Sequence, residues 1–544
     1  MISTNNLTVQ FGKRILFDDV NIKFTKGNCY GVIGANGAGK STFLKVLSGE
    51  VDPTRGNVSL EAGKRMAVLS QDHFKYDDIP VLNTVIMGHE PLFKIMKEKE
   101  EIYAKEDFSD ADGMRASELE EQFGEIGGWN SESDAGNLLS GLGVTEELHY
   151  SLMSELSGNQ KVRVLIAQAI FGNPDLLIMD EPTNDLDVET ISWLEDFLAN
   201  FENTVIVVSH DRHFLDAVCT HIGDIDFGKL NLYSGNYSFW YESSQLALRQ
   251  RSQQNKKTEE KRKELQNFIE RFSANASKSK QATSRKKLLD KLNVDDIQPS
   301  SRKYPGIIFD QEREAGDQVL HVENLSQVVE SKTLFSNFSI NLNKGDKVAL
   351  ISKNSVAVSQ LLQILAGEIP SQNSEIKWGI TTKQSFLPND NTEFFNKPYS
   401  LVDWLRQYTE TEEEKDEVYI RGFLGKMLFS GDEPLKSCEV LSGGEKVRCM
   451  MSRMMLKRAN VLLMDEPTSH LDLESITALN NALTEYKGSM IFTSHDHELT
   501  HTVANRIVEV GPFGMLDKLM SYDDYLNDEK IKEQRDAIYG KLKA

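Results

Sequence analysis

The run Gly34-Ala35-Asn36-Gly37-Ala38-Gly39-Lys40-Ser41 is a loop suited to holding phosphates. Its glycines let the backbone curl so that successive N–H groups face anionic oxygens. Lys40 adds a point charge, and the Ser41 hydroxyl suits a divalent cation. Cys29-Tyr30-Gly31-Val32-Ile33 reads as the buried strand before the loop, and Thr42-Phe43-Leu44-Lys45-Val46-Leu47 as the helix after it. Leu176-Leu177-Ile178-Met179 is a second apolar strand, ending on Asp180, where a carboxylate can reach the cation. Glu181 follows, placed to orient or deprotonate a water. Gln71, in Leu69-Ser70-Gln71-Asp72, offers an amide to the same cation. His210, after the apolar run Val207-Val208-Ser209, is placed to touch a terminal phosphate. Leu156-Ser157-Gly158-Asn159-Gln160 opens a helix, and Asn184-Asp185-Leu186-Asp187 lies just past the glutamate. A lone histidine after a strand is more often structural, and a lone glutamine is usually solvated. The order of the whole set removes that reading, because it recurs in the second half.

The second copy is damaged at one place. Its loop reads Ser352-Lys353-Asn354-Ser355-Val356-Ala357-Val358-Ser359, with Val358 for the lysine and Ser352, Ser355 and Ala357 for glycines. Yet Leu441-Ser442-Gly443-Gly444-Glu445, Met464-Asp465-Glu466-Pro467, Ser469 to Asp472 and Ser494-His495-Asp496 persist. Aligning Leu16-Phe17 with Leu334-Phe335 sets Val329 against Phe11, and Asn389 stands where Gln71 does. A chain that loses one set of parts and keeps the other has an asymmetric mechanism.

These motifs resemble those of ATP-binding cassette proteins, and the likeness spans nearly all 544 residues. It implies an α/β fold of two tandem cassettes of the P-loop NTPase kind, ATP and Mg²⁺ as ligands, and hydrolysis of ATP to ADP and phosphate. It also implies a monomer whose cassettes pair head to tail, each ATP lying between the loop of one and the LSGGQ-like signature of the other. The first composite site then joins Phe11 under the adenine and Gly34, Asn36, Gly37, Ala38, Gly39, Lys40, Ser41 and Thr42 on the phosphates to Ser442, Gly443, Gly444 and Glu445. Ser41, Gln71 and Asp180 hold the metal, and Glu181, Lys40 and His210 are catalytic. The degenerate site joins Ser359, Asp465, Glu466 and His495 to Ser157 and Gly158, with Asn159 in place of a glycine. Nearly all the losses fall on that one site.

Composition sets the frame. No apolar run approaches the roughly 18 residues a membrane helix needs, Met1 to Asn6 is not a secretory signal, and Cys29, Cys219, Cys438 and Cys449 show no metal spacing. A cytoplasmic location follows as an expectation. The net charge of −22 argues against nucleic acid until its distribution is read. Between Arg249 and Lys291 stand 14 Lys/Arg against five Asp/Glu, a local +9. Such asymmetry outweighs the total. The expected domains are a first cassette over 1–237 with an insertion at about 87–129, a basic helical-hairpin linker over 238–317, a second cassette over 318–530, and a short tail over 531–544. Within the linker, Tyr241 to Phe272 has helical composition.

The linker string Arg271-Phe272-Ser273-Ala274-Asn275-Ala276-Ser277-Lys278, with Ser284-Arg285-Lys286-Lys287, resembles that of ABC-F proteins, most closely the YbiT-like branch. The resemblance implies ribosome binding in the ATP-closed state and modulation of translation. The linker would meet rRNA and tRNA near the E and P sites through Arg271, Lys278, Lys280, Arg285, Lys286 and Lys287. The insertion, an acidic "arm", would meet ribosomal protein near the L1 stalk. Two alternatives stand beside this: a ribosome-protecting antibiotic-resistance protein of the same family, and the ATPase subunit of an exporter with a separate membrane chain. The short linker tip favours a translation factor over the first. The basic linker and the arm argue against the second.

Overall fold

The computed structural model describes residues 2–12, 14–69, 72, 74–184, 186–272, 289, 302–329, 332–371 and 374–540. Ile2–Phe11 (β1), Arg14–Phe24 (β2) and, after Cys29–Gly34 (β3), Arg55–Leu60 (β4) supply an antiparallel sheet in the order β2-β1-β4. The strand β3 belongs to a second sheet, with Met66–Val68 (β5), Leu176–Asp180 (β6), Thr204–Val208 (β7), His221–Asp226 (β8) and Lys229–Ser234 (β9). Its order is β5-β6-β7-β3-β8-β9, parallel except for the β8–β9 pair. Continuous apolar strands such as β3 and β7, buried along their whole length, require cover on both faces. Two apolar clusters provide it, one around Val85, Leu165 and Leu194 and one around Phe17, Phe43 and Ile206. Because β3 is central, the phosphate loop leaves the carboxyl edge of the sheet at its middle.

The second cassette repeats the plan. Gln318–Val329 (β10), Lys332–Asn343 (β11), Lys347–Ile351 (β12), Ile376–Trp378 (β13) and Gln384–Leu387 (β14) precede Val461–Asp465 (β15), Ser489–Thr493 (β16), Arg506–Gly511 (β17) and Gly514–Lys518 (β18). The sheets are β11-β10-β13 and β14-β15-β16-β12-β17-β18. The helix Glu529–Ile538 packs on β17 and β18.

In the first cassette's insertion, helices Glu90–Tyr103 and Asp110–Glu125 lie against each other. Ile102, Ala116 and Leu119 form their shared ridge, flanked by exposed ion pairs such as Arg115–Glu98 at 2.7 Å. Ion pairs of this exposed kind contribute about 0–1 kcal/mol, so the apolar ridge holds the helices together.

A 36-residue helix, Tyr237–Phe272, leaves the first cassette. It starts four residues before the predicted Tyr241, because Tyr237 and Trp240 are buried in the first core and anchor its base. Continuous description resumes at Arg302, and Ile307 and Phe309 bury in the second core. Gln71, Asp185, Lys278, Lys280, Arg285, Lys286, Lys287 and the side chain of Arg271 lie outside the described residues. Among those described, no helix is long and apolar enough to cross a membrane.

Candidate nucleotide site

The chain leaves β3 at Gly34 and enters the helix Lys40–Ser48 through Gly39. Gly37 has φ 74° and Gly39 φ 101°, conformations that L side chains rarely adopt. A side chain at Gly34 would place its Cβ 2.8 Å from the Ile225 carbonyl oxygen. Three glycines are therefore required by geometry. Asn36 and Ala38 complete the turn, with Ala38 N–H donating to the Ala35 carbonyl at 3.0 Å. Lys40 is buried, and its Nζ donates to the Gly34 carbonyl at 2.8 Å, folding back along the loop. Burial lowers its pKa, and nearby Glu181 opposes that shift. Ser41 opens onto a cavity of about 620 Å³ that Asp180, Lys45 and Tyr76 also line. A hydroxyl and a carboxylate facing one space are hard oxygen donors that fit Mg²⁺. Thr42 lies in the first turn of the same helix.

Phe11 is 55 % exposed at the end of β1 and is paired in register with Arg14. Arg14 donates to the Gly37 carbonyl at 2.8 Å, which ties this aromatic hairpin to the loop. An exposed ring so placed is free to stack on a base.

Glu181 has φ 52°, a left-handed conformation that costs a non-glycine residue roughly 1–3 kcal/mol. Its N–H donates to the Val208 carbonyl at 2.8 Å, and its Oε2 accepts the His210 N–H at 3.0 Å. Oε1 lies 3.4 Å from His210 Nε2. Burial, with Asp180 adjacent, pushes Glu181 up to about 7 against the opposing His210 N–H. Burial and Lys40 push His210 down to about 4, so the imidazole is neutral at physiological pH. A carboxylate poised near neutrality beside a neutral imidazole can take a proton from water and hold the ring's orientation.

Ser157 and Ser442 are N-caps of the helices Gly158–Ile170 and Gly443–Lys457, each in a reciprocal box with Gln160 or Glu445. The Ser442 N–H donates to Glu445 Oε2 at 2.9 Å. Glu445 therefore caps its own helix, and the two signatures present positive helix ends. Gly444 packs on the His470 backbone, where a Cβ would meet the carbonyl at 2.6 Å. Among the described residues, the cavity at Ser41 and Asp180 is lined by the first cassette alone, without Ser442 to Glu445. The second cassette reaches Lys40 by another route: the charges of Asp472 and Glu474 act on Lys40, and that of Asp472 on His210. The sequence shows Ser469 to Asp472 as a copied motif, but only packing decides which site it faces.

The second copy has the same scaffold with its binding groups occupied. Val329 pairs with Lys332 as Phe11 pairs with Arg14, so valine stands at the aromatic position. The helix begins at Ser355, the counterpart of Gly37, and is one turn longer at its start than its twin. The loop N–H groups are taken. That of Lys353 donates to the Tyr539 hydroxyl at 2.9 Å, that of Asn354 to Ser352 Oγ at 3.2 Å and that of Val356 to Asn354 Oδ1 at 3.1 Å. The Ala357 N–H donates to the Asn354 carbonyl at 3.0 Å. Val358 is buried in the apolar core with Phe335 and Leu361. Asp465 accepts from Thr493 Oγ1 at 2.8 Å, and its other hydrogen bonds come from Ser359 and the Asn389 N–H. Thr493 stands where the first cassette has Val208, a substitution with no obvious meaning in sequence. Glu466 keeps the left-handed φ of 48°, the His495 N–H at 3.1 Å and the His495 ring at 3.5 Å. The base geometry survives without a phosphate cradle beneath it.

Comparison with known proteins fits this architecture. The ABC transporter family model matches residues 17–184 and 335–469, and a second model of the same description matches 223–309. The chain is 57 % identical to the uncharacterized ABC transporter ATP-binding protein YkpA of Bacillus subtilis, over 99 % of this chain and 100 % of that one. It is 43 % identical to the probable ATP-binding protein YbiT of Escherichia coli O157:H7, over 98 % and 100 %. It is also 30 % identical to mouse ATP-binding cassette sub-family F member 3, over 93 % and 70 %. Among solved structures, the RNase-L Inhibitor superposes with a TM-score of 0.61 at 16 % identity, over 99 % of this chain and 100 % of that one, which shows a shared tandem-cassette fold. With two matches to the cassette model and relatives that align over nearly the whole chain, the chain belongs to the ABC-F family of ATP-binding cassette proteins and is an ATPase.

Proposed function

We propose that the chain is a cytoplasmic, ATP-gated ribosome-binding factor that modulates translation, driven by one of its two nucleotide sites. The observation that carries the reading is the +9 stretch from Arg249 to Lys291, set between two cassettes in a chain of net charge −22. Lysines and arginines neutralise phosphates, and the small residues Ser273, Ala274, Ala276 and Ser277 permit close approach to RNA. Family membership supports it. So does the fold shared with the archaeal ribosome recycling factor aABCE1, seen in complex with the ribosomal stalk protein aP1, at TM-score 0.57 and 17 % identity.

In the working site the N–H groups between Asn36 and Thr42 and the Lys40 charge bind the triphosphate, while Phe11 carries the adenine. Ser41, Asp180 and Gln71 are the residues that would hold Mg²⁺, which when bound would supply positive charge against the phosphates. Glu181 takes a proton from the attacking water. His210 is held against Glu181 and orients the terminal phosphate. Closure brings Ser442 to Glu445 onto the same nucleotide. The site built from Ser359, Asp465, Glu466 and His495 with Ser157 and Gly158 contributes closure rather than chemistry. ATP binding fixes the shape that fits the ribosome, and hydrolysis releases it.

The linker tests the reading. Replacing Lys278, Lys280, Arg285, Lys286 and Lys287 with Gln is expected to weaken ribosome binding at least tenfold in 0.1 M salt. It should also flatten the salt dependence by up to one unit of logarithmic slope for each phosphate no longer neutralised. Ribosome-free ATPase should remain within twofold of the parent. Cosedimentation across a salt series measures this, and an affinity unchanged by the five substitutions would refute the RNA-binding role.

A further inference from the structure

Arg302 lies in the returning part of the linker, and its side chain is buried where three parts of the molecule meet. Its Nη2 lies 2.6 Å from Asp224 Oδ1 on β8 of the first cassette. Its Nη1 lies 3.4 Å from Glu474 Oε1, at the start of the helix Leu473–Glu485 of the second cassette. Its guanidinium sits 4.4 Å from the ring of Trp240, at the base of the long linker helix. The side chains of Arg302 and Glu474 are 7 % and 4 % exposed. Leu473, beside Glu474, packs into the first cassette's core, so this contact bridges the cassettes.

One guanidinium faces two buried carboxylates, and Glu474 Oε2 takes no hydrogen bond at all. A buried carboxylate without its partner seeks another cation. The next one whose charge acts on Glu474 is Lys40. Asp472, on the same turn, acts on Lys40 as well. At present the Lys40 ammonium rests on the Gly34 carbonyl rather than on either acid. Asp224 pairs in register with Ile33, the neighbour of Gly34, so the Arg302 cluster and the carbonyl on which Lys40 rests lie on adjacent strands, and Glu474 is a carboxylate that could capture the lysine. Arg302 is the group that occupies that carboxylate.

We propose that Arg302 is a positioning residue for ATP binding: by holding Glu474 at the cassette interface it leaves Lys40 to the triphosphate. Because Arg302 also stacks on Trp240 and itself belongs to the returning part of the linker, a shift at the linker base reaches Lys40 through one side chain. This rests on Lys40 binding the triphosphate, so the test carries its own control.

The measurement is steady-state hydrolysis with separate KM and kcat, together with equilibrium binding of a fluorescent ATP analogue to Glu181→Gln chains. Arg302→Gln is expected to raise the KM and the Kd about tenfold while kcat changes less than threefold. Adding Glu474→Gln removes the competing carboxylate and should return both constants to within about threefold of the parent. Arg302→Lys, which keeps the charge, should lie between. A merely structural role predicts the reverse, since a second loss at the interface would worsen the first. If Arg302→Gln alone does not fold, the double variant decides by itself: parental affinity supports the proposal and a tenfold loss overturns it. A KM unchanged in Arg302→Gln, or raised equally in the double variant, also overturns it. Lys40→Met in the same assay separates the two readings. If it binds ATP as the parent does, the reading of the nucleotide site has failed. If it loses binding while Arg302→Gln does not, only the proposal for Arg302 has.

Discussion

Glu181→Gln is expected to slow ATP hydrolysis roughly 100- to 10,000-fold, the range for removing a positioned general base, while ATP still binds. Glu466→Gln is expected to change the rate less than threefold. The two glutamates are near twins: both are left-handed and both accept a histidine N–H, at 3.0 Å and 3.1 Å. What differs is the setting of the aspartate that precedes each. Glu181 follows an aspartate that shares a 620 Å³ cavity with the Ser41 hydroxyl. Glu466 follows an aspartate already bonded to Thr493, Ser359 and the Asn389 N–H. Gln keeps the shape and the hydrogen-bond acceptor but cannot take the proton. Phosphate release under saturating ATP measures the effect, and equal damage from the two substitutions would defeat the asymmetry.

Returning the lysine to the second loop is expected to fail. Val358→Lys restores the residue type of a phosphate loop but not its geometry. The N–H groups of Lys353, Asn354, Val356 and Ala357 are already bonded, and the helix starts at Ser355. The new ammonium would enter an apolar core beside Phe335 and Leu361. A buried charge without a partner costs on the order of 2–3 kcal/mol or more. The expected result is a lower melting temperature with no gain in bound nucleotide, by calorimetry and by equilibrium dialysis. A second ATP bound by this variant would show that the lysine alone had been missing.

Much of this was legible in the sequence, and the reason is local. The tandem α/β plan follows from apolar strands ending at Gly34, Asp180 and Asp465, each followed by a turn and a helix. The damage to the second loop is visible as Val358, Ser355 and Ala357. The rest depends on groups that sequence does not join. Thr493 quiets Asp465 from a neighbouring strand, and Tyr539 reaches Lys353 from the far end of the chain. Glu445 reads as part of the signature, and the motif does not reveal that its carboxylate caps its own helix. Arg302 and Glu474 carry no motif, and only the packing of one cassette on the other makes them neighbours of Lys40. Tyr241 marks the start of the linker helix on composition, whereas Tyr237 and Trp240 set it by burial.

The central claim is that one nucleotide site does the work, and trapping stoichiometry tests it most directly. Glu181→Gln protein incubated with excess Mg-ATP and freed of loose ligand by rapid gel filtration should retain about one ATP per chain, as one complete phosphate-binding set requires. Two ATP per chain, held equally tightly, would contradict the account, because the retained Ser359, Asp465, Glu466 and His495 would then suffice without the lysine, the glycines or the aromatic platform.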